Sequence, residues 1–63
     1  MNRSEFMKEL EYLLQDIPDP EKEEALAYYR DYLEEAGDEH EEQVIREFGS
    51  PERVAAIIRS DLN

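Results

Sequence analysis

A helix cannot run through Phe48-Gly49-Ser50-Pro51, and this stretch constrains the fold more than any other in the chain. Gly49 can take the left-handed conformation that ends a helix, Ser50 can cap the next one, and Pro51 suits its first position. The chain must therefore turn a corner within a few residues. Three amphipathic segments lie behind the corner and a short apolar one lies ahead of it.

Asn2 followed three residues later by Glu5 is a capping-box-like start, and Phe6, Leu10, Leu13, Leu14 and Ile17 recur with the helical period. They predict a first helix over about residues 3–15. Asp16-Ile17-Pro18-Asp19-Pro20 breaks it, because each proline disfavours helical geometry in the residue before it. Asp19 then reads as the cap, and Pro20 as the first position, of a second helix over residues 20–36. Its apolar positions Ala25, Tyr28, Tyr29, Tyr32, Leu33 and Ala36 form one broad face with Leu26 on the flank, so three tyrosines are expected to point inward. Tyr12 falls off the stripe of the first helix and is the expected exposed aromatic. Gly37 reads as a left-handed C-cap, and Asp38 with Glu41 as the start of a third helix over 39–48, where Val44, Ile45 and Phe48 form a narrow stripe. A fourth helix over 51–61 is expected to turn Val54, Ala55, Ile57, Ile58 and Leu62 inward. No stretch alternates with period two long enough to make a strand. The expectation is an all-α fold, a compact bundle of four short helices joined by tight turns, with residues 1–63 as one domain.

A chain of 63 residues buries only about 60% of the surface it exposes when unfolded. It has no cysteine, so neither disulfides nor a Cys/His zinc site can staple it, and helix packing or self-association must hold it together. The same absence fits a reducing cytoplasm. Seven Lys and Arg against eighteen Asp and Glu give a net charge of −11, which repels the phosphate backbone that supplies most non-specific nucleic-acid affinity. A helix-turn-helix around the Gly-Ser-Pro turn is geometrically compatible. However, Arg46, Arg53 and Arg59 are balanced locally by Glu47, Glu52 and Asp61, leaving no positive stripe. Direct nucleic-acid binding is therefore not expected. The longest apolar run, Val54-Ala55-Ala56-Ile57-Ile58, is far short of the roughly 20 residues a membrane span needs, and the N-terminus has no apolar signal-peptide core. The chain is expected to be soluble and unprocessed, either free-standing or the N-terminal part of a longer protein.

Asn2-Arg3-Ser4-Glu5-Phe6-Met7, Leu10, Leu13-Leu14 and Ile17-Pro18 make up a pattern that continues through Tyr28-Tyr29-Arg30-Asp31-Tyr32-Leu33-Glu34-Glu35-Ala36-Gly37. It ends in Val44-Ile45-Arg46-Glu47-Phe48-Gly49-Ser50-Pro51 with Val54-Ala55 following. Together these resemble the HAAS-type helical signalling domain, found at the N-terminus of a family of bacterial membrane proteins of otherwise unassigned function. In that family the module usually precedes transmembrane helices, and its gene commonly sits beside one for a PadR-type transcription regulator. The resemblance implies a cytoplasmic module, at the inner face of the membrane in a longer native protein, that touches the regulator or another signalling partner. The membrane would be reached only through segments absent from this chain.

No catalytic constellation accompanies the resemblance. His40-Glu41-Glu42-Gln43-Val44 begins like a His-Glu-x-x-His zinc motif, but Val44 replaces the second histidine. Ser4, Ser50 and Ser60 have no plausible His partner, and no Gly-rich phosphate loop exists. The expectation is a non-enzyme with no catalytic, cofactor-binding or metal-ligating residue. Two surfaces are candidates for binding. Between Asp31 and Glu42 lie seven acidic residues and no basic one, without EF-hand spacing; Asp31, Glu34, Glu35 and Asp38 make this either a solvated corner or a docking surface for a basic partner. Val54, Ile57, Ile58 and Leu62 either complete the core or are shared with a second chain or a partner. The expected function is protein–protein interaction in signalling with a PadR-type regulator; the alternative is a homo-oligomerisation domain, a homodimer in its simplest form.

Overall fold

Two of the four helices begin at a side-chain cap that satisfies one of their first free N–H groups, and both caps are those read from the sequence. The computed structural model describes residues 1–62. α1 (Arg3–Leu13) is capped by Asn2, whose side chain accepts from the Glu5 N–H at 2.8 Å. α4 (Pro51–Leu62) is capped by Ser50, whose hydroxyl accepts from the Arg53 N–H at 3.1 Å. At the other two starts the expected caps are corrected. α2 (Asp19–Ala36) has Pro18 in the cap position, so Asp19 and Pro20 are its first two helical residues. The Asp19 carboxylate lies instead 3.5 Å from the Lys22 ammonium. α3 (Glu41–Phe48) begins two residues later than expected, after a turn closed by the His40 N–H on the Gly37 carbonyl at 3.1 Å. Asp38 therefore sits outside the cap position. Glu41 reaches across to accept from the Arg3 N–H at 3.3 Å, covering one of the donors that the start of α1 leaves free.

α1 stops at Leu13, short of the expected Gln15, and the turn after it still delivers Leu14 and Ile17 to the core, with the Ile17 N–H on the Leu14 carbonyl at 3.0 Å. Gly37 ends α2 at φ 81°, ψ 165°, a positive-φ but extended conformation rather than the left-handed helical cap expected. Gly49 ends α3 at φ 94°, ψ −80°, again positive but outside the left-handed helical basin.

The result is the expected all-α bundle. α1 packs against α2, α3 and α4, and α3 also touches both α2 and α4, whereas α2 and α4 scarcely meet. Phe6, Leu10, Leu14, Leu33 and Val54 are fully buried at the centre, with Ile17, Leu26, Ile45, Ala55 and Ile58 around them. No polar or charged residue is buried among the described residues, so apolar packing alone fills the centre.

Two faces differ from expectation, and both differences follow from the gap between α2 and α4. On α2 the buried residues are Leu26 and Leu33, with Ala25 and Tyr29 partly buried, while Tyr28 is 61% and Tyr32 46% exposed. On α4, Val54, Ala55 and Ile58 are buried but Ile57 is 46% and Leu62 47% exposed. With so little α2–α4 contact to cover it, the adjoining side of each helix remains outside the core.

Candidate functional site

The gap is a groove with α2 as one wall and α4 as the other. At one end Ala25, Tyr28 and Tyr29 face Ile58 and Leu62 across a shallow cleft of about 430 Å³, rimmed by Glu21, Glu24 and Asp61. The cleft continues into a second one of about 340 Å³, where Tyr28, Tyr29 and Tyr32 face Val54 and Ile57, with Phe48, Glu47 and Arg53 at the far end. The partners run in opposite order along the two helices, so α2 and α4 are antiparallel across the groove.

The aromatic wall is tied to the core through Phe48. Its ring lies 5.7 Å from that of Phe6, 5.4 Å from that of Tyr29 in an edge-on arrangement, and 5.5 Å from that of Tyr32. Tyr28 meets Tyr29 edge-on at 5.0 Å and Tyr32 at 6.4 Å. Such pairs each add roughly 0.5–1.5 kcal/mol beyond area burial, enough to hold exposed rings in place. Phe48 thus links the corner to the groove: the residue that closes α3 also supports the tyrosines of α2. Burial pushes the Tyr29 phenol above its ordinary range, and the neighbouring Tyr28 and the Asp61 carboxylate push it the same way. Its hydroxyl stays protonated and able to donate.

The α4 wall is held by Arg59. The guanidinium forks onto Asp16 at 3.0 and 2.8 Å and also donates to the Leu13 carbonyl, fastening α4 to the end of α1. The hydrogen bonds from Arg59 hold the Asp16 carboxyl below its usual range, and the Asp16 carboxylate raises the guanidinium in return. Local sequence balance pairs Arg59 with Asp61, but the structure pairs it with Asp16, leaving Asp61 free to face the groove.

Among the residues singled out in the sequence, Ile57 and Leu62 line the groove, whereas Val54 and Ile58 spend most of their surface in the core. Asp31, Glu34, Glu35 and Asp38 are exposed and lie outside the groove lining. The corner divides: Pro51 is buried, Phe48 and Ser50 are partly so, and Gly49 is exposed. Sequence reasoning missed Tyr28 and Tyr32 as surface residues and Glu21, Glu24 and Asp61 as a rim. The polar tip of tyrosine, at 28 and 32 where a core helix would carry leucine, was the available signal. Among the described residues no group of three or more His, Cys, Asp or Glu is placed to hold a metal ion, and no helix is long and apolar enough to cross a membrane.

A family model described as HAAS matches residues 5–57, which run from the first turn of α1 to the exposed isoleucine of the groove. No curated protein and no solved structure matches the chain.

Proposed function

The chain belongs to the HAAS family, and from that membership we propose that it is a non-enzymatic protein–protein interaction module of bacterial signalling. In this reading it is the cytoplasmic N-terminal domain of a membrane protein and works with a PadR-type transcription regulator. The observation that carries the proposal is the groove. Tyr28, Tyr32, Ile57 and Leu62 are large apolar residues exposed beside one another, in a chain with eighteen carboxylates to keep the rest of its surface polar. Contiguous apolar surface rimmed by polar residues marks interaction sites.

Titrating the purified chain with a PadR-type regulator from the same genome, followed by calorimetry, tests the reading. Saturable binding in the micromolar range or tighter is expected. Two folded proteins that fail to bind at high micromolar concentration would remove the regulator as partner. Self-association through the same face is the alternative, and the net charge of −11 on each copy opposes it.

A further inference from the structure

Taking the chain as a protein-binding module, we propose that the α2–α4 groove seats a basic amphipathic helix of the partner. The apolar stripe of that helix would lie on Tyr28, Tyr29 and Ile57, and its Lys or Arg side chains against Glu21, Glu24 and Asp61. Three features select this occupant.

The first is shape. The groove runs between two antiparallel helices, and from Glu21 to Tyr32 it follows α2 for about 16 Å, three helical turns. A third helix fits such a trough and buries one face in it, the helix-in-groove mode of recognition. The second is charge. Glu21, Glu24 and Asp61 rim one end with no Lys or Arg among them, whereas Glu47 is offset by Arg53 at the other. The nearby cations are already engaged, Lys22 with Asp19 and Arg59 with Asp16. The acidic end therefore meets its counter-charge only from outside. The third is the aromatic wall, since tyrosine faces attract Lys and Arg as well as apolar groups. A second copy of this chain brings like charge to the rim, and an anionic membrane surface does the same; neither satisfies it.

The test uses the 15N-labelled chain titrated with a helical peptide of about 18 residues, five turns long, carrying leucines on one face and lysines on its flanks, and with the same peptide carrying glutamates instead. The lysine peptide is expected to shift the amides of Ala25, Tyr28, Tyr29, Ile57 and Leu62, and to bind at least about tenfold tighter than the glutamate peptide. Three variants decide whether the groove is responsible. Glu21→Gln with Glu24→Gln and Asp61→Asn should weaken the lysine peptide by about tenfold. Asp31→Asn with Glu34→Gln and Glu35→Gln makes the same charge change outside the groove and should leave affinity within about twofold. Ile57→Ser, at an exposed position where the fold is retained, should weaken binding without altering charge. Equal losses in the two charge variants, shifts outside the groove, or equal affinity for the two peptides would overturn the proposal. So would a dimer in sedimentation that Ile57→Ser dissociates, because the occupant would then be a second copy.

The regulator is titrated with the same variants. Binding to wild type and to both charge variants alike would refute the groove as its site while leaving the interaction reading intact. No binding to the regulator removes it as the partner, and the peptide series still decides the chemistry of the groove.

Discussion

Gly49 and Gly37 both sit at positive φ, +94° and +81°, yet an added Cβ would find different surroundings. At Gly37 nothing lies within 4 Å, while at Gly49 the nearest atom is the Arg53 Cδ at 2.9 Å. Arg53 is exposed and its long side chain can swing aside, so backbone strain should govern both sites. We expect Gly37→Ala and Gly49→Ala each to lose about 1–3 kcal/mol, measured by urea unfolding. In an Arg53→Ala background Gly49→Ala should remain nearly as costly; full recovery there would mean that the side-chain collision, and not the backbone, sets the penalty. These glycines were legible in the sequence because their role is local: each ends a helix where no side chain could. Asn2 and Ser50 were legible for the same reason, since a cap and the N–H it accepts from are three residues apart. Asp19 and Asp38 carry the same chemistry and fail as caps. A proline already occupies the cap position before α2, and the Gly37–His40 turn carries the chain past Asp38.

At the scale of elements, the four helices could be read from their breakers, but which side of α2 is buried could not. A face through Tyr28 and Tyr32 and a face through Leu26 and Leu33 overlap at Ala25 and Tyr29, and both keep the helical period. Contact decided between them: α2 packs on α1 and α3 and scarcely on α4, so only the narrower leucine stripe is covered. The Arg59–Asp16 fork was hidden for a different reason, because 43 residues separate the partners. That fork couples α4 to α1 and makes the coupling sensitive to acid. The Asp16 carboxyl is held below its ordinary value of 3.8 by the Arg59 hydrogen bonds, whereas the guanidinium keeps its charge throughout. A depressed carboxyl contributes stability that is fully present above the unfolded value and is lost as pH falls through the folded one. Melting temperatures of wild type and Asp16→Asn should therefore differ most above about pH 5 and converge as pH drops below about 4. Curves that stay parallel across that range would show that the fork does not form in solution.

Over the whole molecule, α1 is the most extensively packed of the four helices, and Phe6 at its first buried position touches the ring of Phe48 as well. Domains of this length have a total stability of roughly 3–9 kcal/mol, and deleting a buried phenylalanine costs about 3–5 kcal/mol. Phe6→Ala should leave much of the population unfolded at 25 °C, while Ile57→Ser on the groove, at a half-exposed position, should cost only about 1 kcal/mol. Circular dichroism under urea distinguishes the two. The net charge of −11 adds a second expectation, because self-repulsion weakens the compact state and salt screens it over about 10 Å at 0.1 M. Raising sodium chloride should therefore restore helicity to Phe6→Ala, the variant poised nearest its midpoint, and raise the wild-type melting temperature as well. If salt left both unchanged, the surplus carboxylates would be spaced too widely to oppose folding. Their placement, including the acidic rim of the groove, would then matter for binding and not for stability.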